Sequence, residues 1–134
     1  MAKRDYPFLE IEERENYSSG ISTHVDWKPR ANIIEADDMV VVEIELPGVN
    51  KKDVSILLEG HNELIIKGTK PQPRLDAPQE VTYHLFEREF GSFYKRVHVD
   101  FPLDAQKISS IMDNGVLTIK LPRKKSQKIS VDIK

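Results

Sequence analysis

Residues 39–48 read Met39-Val-Val-Val-Glu-Ile-Glu-Leu-Pro-Gly48, and this stretch decides the fold class. Its apolar residues Val40, Val42, Ile44 and Leu46 recur with a period of two, which places them on one face of a β-strand. Pro47-Gly48 then ends that strand in a turn. From Trp27 onward, similar short alternating segments are separated by Gly, Pro, Asn and Asp. The pattern predicts an all-β fold, either a β-sandwich or a barrel.

The next strand carries Val54, Ile56 and Leu58 on one face, and the turn at residues 60–62 leads into a hairpin that closes at Gly68. Residues 69–80 contain three prolines and no apolar alternation, which predicts a long exposed loop. Further strands are expected over residues 81–87, 92–101, 108–112 and 116–121, with Asp113-Asn114-Gly115 as a tight turn before the last of them.

Both ends of the chain differ from this domain. Residues 1–26 carry scattered apolar side chains among charges, with a helical turn over residues 9–15 as their one local pattern, so we expect a flexible N-terminal arm. Residues 123–134 form a C-terminal extension, and six polar residues, 123–128, separate its apolar end from the domain. Extended, such a hinge spans at most about 20 Å.

That apolar end is an alternating strand without a visible partner. Ile129, Val131 and Ile133 recur with a period of two, and a lone strand can neither bury its apolar row nor satisfy its backbone. It therefore stays frayed or adds to the edge of a sheet, and that sheet can belong to another copy of the protein. Two overlapping pairs, Ile129/Val131 and Val131/Ile133, can each supply the two apolar side chains that such an edge would bury. The later pair is favoured where the neighbouring copy is far away, and Val131 is expected to be buried in either register.

The composition limits the functional classes. At 134 residues with 39% hydrophobic residues, the chain suits one globular domain with short extensions, and a net charge of -2 argues against nucleic-acid binding. The absence of cysteine excludes disulfides and thiolate metal sites. No secretory signal and no membrane span are recognisable, so a cytoplasmic location is expected.

No motif for catalysis or for a cofactor is present. The four histidines, His24, His61, His84 and His98, show no metal-ligand spacing, and we expect no metal site. Neighbouring acids such as Asp37-Asp38 are more typical of solvated turns than of a general acid and base, which must converge on one substrate atom. The sequence predicts neither an enzyme nor a cofactor.

Several motifs together resemble those of the small heat shock proteins, the α-crystallin family. The stretch Ser110-Ile-Met-Asp-Asn-Gly-Val-Leu-Thr-Ile119 is similar to the A-x-x-x-n-G-V-L signature, with Ser110 in place of the usual Ala. The other similar stretches, in order, begin at Trp27-Lys-Pro29 and continue with Glu45-Leu-Pro-Gly-Val49, Leu64-Ile-Ile-Lys-Gly68, Glu87-Arg-Glu-Phe-Gly-Ser-Phe93 and the C-terminal I-x-I/V motif over residues 129–133.

The resemblance implies an immunoglobulin-like β-sandwich over residues 27–122, in which residues 69–92 form a dimerisation loop. It also implies an ATP-independent chaperone, a holdase that binds partly unfolded client proteins, assembles from homodimers into a dynamic homo-oligomer, and passes clients to ATP-dependent refolding chaperones. The family usually has an arginine at the position of Lys95. Lysine lacks the planar guanidinium group that lets arginine make two parallel hydrogen bonds. Whether Lys95 or Arg96 makes the family's arginine contact across the dimer therefore stays open.

The resemblance assigns residues to four roles. The clients are expected to bind the N-terminal arm, and the tail is expected to dock in a groove between two strands. The four sets are client binding by Tyr6, Phe8, Leu9, Ile11 and Tyr17; the oligomerisation tail Ile129, Val131 and Ile133; the accepting groove Val54, Ile56, Leu58 and Ser109; and the dimer interface Val81, Tyr83, Leu85, Lys95 and Arg96. The arm residues can equally serve to pack the oligomer.

Two other classes of β-sandwich protein are alternatives. A co-chaperone of the p23 or CS type shares the sandwich but binds a dedicated chaperone, and the terminal I-x-I/V motif and the Gly-Val-Leu signature argue against it. A carbohydrate- or ligand-binding sandwich needs a patterned aromatic platform, which the single Trp27 does not provide.

Overall fold

The computed structural model describes residues 9–13, 25–72 and 80–134. Within these ranges, strands dominate and the only helices are two short 3-10 turns at Lys51–Asp53 and Ala105–Lys107, which confirms the all-β prediction. The eight strands are β1 (Leu9–Glu13), β2 (Ala31–Ala36), β3 (Met39–Glu45), β4 (Val54–Glu59), β5 (Glu63–Lys70), β6 (Gly91–Val99), β7 (Ser109–Asp113) and β8 (Val116–Pro122).

The strands form two four-stranded antiparallel sheets. The first has the order β1-β6-β5-β4 and the second the order β2-β3-β8-β7. In the described part of the chain, β1 and β4 are therefore the edges of one sheet and β2 and β7 those of the other. Edge strands leave one row of backbone N–H and C=O groups unpaired, so each is a place where another strand can add.

The core lies between the inner faces of the two sheets. Val40, Val42 and Ile44 of β3 are fully buried, and the residues between them are only partly buried, as the period-two pattern predicts. From the other sheet, Leu64 and Ile66 of β5 meet them. The same core cluster also contains Trp27, Leu46, Val49, Phe93, Val97, Val99, Leu103, Leu117, Ile119 and Leu121.

The turn between β7 and β8 sets the register of both strands. Asn114 and Gly115 have positive φ angles of 49° and 75°, the combination that a two-residue type I′ hairpin requires. Asp113 consequently pairs with Val116, and Met112 pairs with Leu117. The expected tight turn is present, and it determines which residues of β7 point toward the core.

One expected element is wrong, and a second one does not form in the single chain. Residues 9–13 form strand β1, with Leu9 opposite Val99 and Ile11 opposite Val97 of β6, instead of a helical turn. Their alternating pattern fits a sheet edge, and pairing with β6 overrides the local helical pattern. Residues 81–87 form no strand. A strand exists only where its backbone bonds to a neighbour, and this segment has none in the described part of the single chain.

Candidate interaction surfaces

One end of the sandwich places two sheet edges beside each other. Leu58, near the end of β4, and Lys107, just before β7, line the same recess of about 500 Å³. The two edges therefore come together at this recess, where β4 ends and β7 is about to begin. We call the space between them the edge groove.

The edge groove is lined by apolar residues that the core covers only in part. On β4 these are Val54, Ile56 and Leu58, all three packed against the core and half-buried. Opposite them, Ile108 and Met112 are likewise half-buried against the core. Side chains that are covered on one side and open on the other form the apolar holes that alternate residues of an added strand can fill.

Ser109 does not line this groove, which corrects one sequence-based assignment. Ser109 pairs with Lys120, which points outward, whereas Ser110 pairs with the fully buried Ile119. Directly paired residues share a face, so Ser110 and Met112 are the inward residues of β7. On this side of the groove, residues 107–111 were expected from the sequence, a range that includes Ile108 but not Met112. Counting back from Leu117 across the two-residue Asn-Gly turn would have found Met112.

The C-terminal tail is exposed in the single chain. Ile129, Val131 and Ile133 have exposed fractions of 78%, 82% and 100%, which is unusual for aliphatic side chains in a row. Residues 124–134 form no strand. The same chain thus carries an exposed apolar tail and an edge groove whose apolar residues are only partly covered.

The hinge between the domain and the tail is shorter than the six residues expected. Arg123 forms a β-bridge with Leu103, and its N–H donates to Asp38 O at 2.8 Å. The N–H of Lys124 donates to Pro102 O at 2.9 Å. Two of the six residues are therefore attached to the sandwich, and the linker before Ile129 consists of residues 125–128.

The part of the expected dimerisation loop that follows residue 80 is exposed and carries several apolar and aromatic side chains. Val81, Tyr83 and Leu85 are all exposed, as is Phe86. The Tyr83 and Phe86 rings pack edge to face with centroids 5.1 Å apart, and the Tyr83 hydroxyl accepts a bond of 3.4 Å from Gln72 Nε2. These contacts position an apolar patch beside the end of β5.

A buried aromatic contact anchors the end of this segment. The Trp27 Nε1–H donates to Gly91 O at 2.9 Å, and the Trp27 ring meets the Phe93 ring edge to face at 5.6 Å. Lys70 Nζ lies 5.3 Å from the centroid of Trp27 and 5.7 Å from that of Phe90. The cation between two rings connects the sandwich to Phe90 by cation–π attraction.

Lys95 and Arg96 lie on opposite faces of β6. Lys95 points into the sandwich and is only 3% exposed, while Arg96 is on the outer face. Arg96 forms an ion pair with Glu63 of β5, and His98 Nδ1 lies 3.4 Å from the second oxygen of the same carboxylate. In the single chain, Arg96 therefore has more surface to offer a partner than Lys95 has.

The ion pair shifts the pKa of both partners in the direction that favours their charged forms. The hydrogen bond from Arg96 is the main reason that the pKa of Glu63 lies below its ordinary value of 4.5, with the His98 contact contributing less. The hydrogen bond to Glu63 in turn raises the pKa of Arg96. Charge-assisted bonds of this kind fix the outer faces of β5 and β6 to each other.

The residues of the N-terminal arm are only partly within the described ranges. Tyr6, Phe8 and Tyr17, which were expected to bind clients, lie outside them. Leu9 and Ile11 belong to strand β1 at the edge of the first sheet. In the described ranges, no group of three or more His, Asp or Glu side chains is arranged to ligate a metal, and no helix is long and apolar enough to cross a membrane.

The geometry defines a class of protein: a β-sandwich that presents open edges and apolar strands for association. The chain belongs to the Hsp20/alpha crystallin family, whose family model matches residues 32–134. It is thus a small heat shock protein, a chaperone.

Individual relatives agree with this assignment. The chain is 36% identical to small heat shock protein C2 of Rickettsia felis over 118 residues, which are 86% of this chain and 73% of the relative. The structure of heat shock protein 16.0 from Schizosaccharomyces pombe superposes with a TM-score of 0.67 at 34% identity, over 81% of this chain and 99% of that one. A small heat shock protein from Xylella fastidiosa, whose crystal structure has a distinct high-order structure, gives 0.63 at 28% identity, over 81% and 100%.

Proposed function

We propose that this chaperone is an ATP-independent holdase that binds partly unfolded proteins and limits their aggregation, and that it works as a dynamic homo-oligomer built from dimers. No chemical step and no cofactor belong to this activity. The clients are the first class of partner, copies of the same chain are the second, and ATP-dependent refolding chaperones that receive the clients are the third. We place this activity in the cytoplasm.

One observation carries the proposal. The tail exposes three aliphatic residues with a period of two, and the edge groove offers Val54, Ile56 and Leu58 with the same period on a strand whose outer edge is unpaired in the described chain. Strand addition satisfies the backbone of the tail and buries its apolar row at once. The tail of one subunit in the groove of another is therefore a bond between subunits.

The strength of that bond suits reversible assembly. Each buried aliphatic side chain contributes about 1.5 to 3 kcal/mol before costs, and ordering a flexible tail returns a large part of this. One tail is consequently a weak link. Several tails in one assembly act together through multivalency, while any single link opens and closes quickly. An oligomer of this kind can release subunits and expose apolar surface to clients without consuming ATP.

Dimerisation is assigned to the exposed segment that contains Val81, Tyr83 and Leu85. Its backbone groups have no strand partner in the described chain, and the outer edge of β2 is unpaired there as well. If this segment added to the β2 edge of a neighbouring subunit, the backbone groups of both the segment and β2 would gain hydrogen-bond partners. Arg96, on the outer face of β6, is the better candidate for a contact across the dimer, since Lys95 is buried.

Client binding is assigned to the N-terminal arm, with the edge groove as a second site. Leu9 and Ile11 lie in an edge strand, so this part of the arm can offer an unfolded client a row of unpaired backbone groups. Tyr6, Phe8 and Tyr17 add aromatic groups nearby in the sequence. The same residues can pack the oligomer when no client is present.

A single assay tests the proposed activity. A thermally labile client protein is heated with and without this chain in the absence of ATP, and turbidity is followed with time. Suppression of turbidity at near-stoichiometric amounts is the expected result. A chain that leaves the turbidity unchanged, while remaining folded at the assay temperature by circular dichroism, is not a holdase.

A further inference from the structure

We infer that in a free subunit the C-terminal tail, residues 128–134, caps the edge groove of its own chain as a strand antiparallel to β4. The inference rests on the tail-and-groove contact proposed above, and it adds which groove the tail occupies before assembly. In the structure the tail is exposed, so the capped form is a second arrangement of the same chain.

The position of the linker brings the tail to its own groove. Lys124 is bonded to Pro102, and residues 124, 125 and 127 line the recess that also contains Leu58, at one end of the groove. Ile129 follows Gln127 by two residues, a distance of at most about 7 Å. The first apolar residue of the tail can therefore reach the Leu58 end of β4 without any movement of the domain.

From that end, one register matches every residue of the tail with β4. Ile129 opposite Leu58 places Val131 opposite Ile56 and Ile133 opposite Val54, so all three apolar residues face the inner side of the sheet. Both motifs, Ile129/Val131 and Val131/Ile133, are then used together. The polar residues between them, Ser130 and Asp132, face outward opposite Leu57 and Ser55.

Charges at both ends of the tail support this register. It places Lys128 opposite Glu59, and Lys134 opposite Asp53. In the described part of the chain, Asp53 Oδ2 is the one buried side-chain polar atom without a hydrogen-bond partner, and buried acceptors are normally satisfied. The ammonium group of Lys134 would supply the missing donor.

Alternative alignments are less favourable. A shift of the tail by two residues toward Asp53 would place Lys134 opposite Lys51, a repulsive pair of like charges. A shift in the other direction leaves Ile129 opposite Gly60, beyond the end of β4. A parallel alignment also pairs the terminal lysines with Asp53 and Glu59. It requires Ile129 to start at the Val54 end, however, whereas the linker enters at the Leu58 end.

The cap would compete with assembly. A short flexible linker gives an intramolecular partner an effective concentration on the order of millimolar, which exceeds the concentration of neighbouring tails in a dilute solution. Each groove is then covered by its own tail until a neighbouring tail replaces it. The tail would exchange between the groove of its own chain and the groove of a neighbouring chain. The rate of this exchange would set how often a groove is uncovered and open to clients.

Engineered cysteines test the inference directly, because the chain contains no cysteine of its own. Opposite residues of an antiparallel pair have Cβ atoms about 5 Å apart, close to the roughly 4 Å of a disulfide. The chain with both Ile56→Cys and Val131→Cys is oxidised and analysed by non-reducing electrophoresis and intact mass, over about a hundredfold dilution. In the matched control, Ser55→Cys on the outer face of β4 replaces Ile56→Cys.

The expected product is an internally linked chain of monomer mass, whose yield does not change with dilution and is several-fold lower in the Ser55→Cys control. A mixture of the two single-cysteine chains can link only between subunits, and its yield should fall on dilution. If the double variant gives only linked pairs of chains, the cap is wrong and the proposed tail-mediated assembly stands. If no linkage forms in either experiment, both proposals are wrong.

Reversing the charges of Glu59 and Lys128 tests whether the tail binds in the proposed register or is only close to β4. Glu59→Lys should lower the yield of the internal disulfide several-fold, and adding Lys128→Glu should restore it, since the pair is then opposite in charge again. Equal yields in all three chains would contradict the register.

Discussion

The backbone N–H of Lys124 bonds to the carbonyl oxygen of Pro102 at 2.9 Å, one residue after Arg123 bridges to Leu103. These contacts fix where the C-terminal extension leaves the domain. The remaining linker, residues 125–128, spans at most about 13 Å when extended. A tail on so short a linker can reach only nearby grooves, which restricts the arrangements of subunits that it can connect.

Removal of the tail should disassemble the oligomer. Deleting residues 128–134 takes away all three apolar side chains that enter a groove, so we expect a fall to dimers, measured as mass by light scattering. Ser130→Ala, which changes a residue between the apolar ones, is the matched control and should keep the full mass. A deletion variant with the mass of the intact protein would contradict the assignment of the tail.

The dimer should depend on the exposed segment around Leu85. In the tail-deleted background, Leu85→Asp places a charge in the apolar patch that is assigned to the dimer contact, at a cost of several kcal/mol if the site is buried there. We expect monomers by sedimentation. Glu87→Gln, at another exposed position of the same segment, should leave dimers. Dimers in both variants would exclude this segment as the interface.

The inward faces of β3, β4 and β5 could be predicted because their alternation is complete in the sequence: Val54, Ile56 and Leu58 were assigned to one face and lie on it. Ser109 was assigned to the groove wrongly because the register of β7 depends on the two-residue turn at Asn114-Gly115, and an error of one residue exchanges the faces of a strand.

The sequence could not show that residues 81–87 lack a strand in the single chain. The apolar residues there have strand-forming character, but strand pairing depends on a neighbour that the described chain does not supply. β1 was missed for the opposite reason. Residues 9–13 are too short to distinguish a helical turn from a strand by pattern, and only the open edge of β6 decides between them.

Close packing against Gly68 should make that position intolerant of a side chain. An added Cβ would lie 2.2 Å from Asp53 O and 2.7 Å from Phe93 Cζ, so backbone and a core ring would have to move. We expect Gly68→Ala to lower the free energy of unfolding by about 1 to 3 kcal/mol, measured by urea denaturation. The control is Gly60→Asn at a φ of 64°, where nothing lies within 4 Å and asparagine tolerates the conformation.

Suppression of client aggregation should depend on the aromatic residues of the arm. Replacing Tyr6, Phe8 and Tyr17 together with Ser removes apolar contact area and leaves β1 in place, so we expect weaker suppression with an unchanged unfolding midpoint. The deletion of residues 1–24 should weaken suppression at least as much, because it also removes β1. Full suppression by the triple variant, at equal protein concentration, would assign client binding elsewhere.

The contribution of Glu63 to stability should depend on pH. The bond from Arg96 lowers the pKa of Glu63 in the folded chain below 4.5. A carboxyl group with a lowered folded-state pKa stabilises the fold fully above its unfolded-state pKa and loses this effect as the pH falls through the folded-state value. Glu63→Gln should therefore reduce the stability at pH 7 and make little difference in strong acid, below both pKa values. Urea denaturation at both pH values measures this, with exposed Glu35→Gln as the control. A Glu63→Gln effect that is equally large in strong acid would show that the ion pair is not its cause.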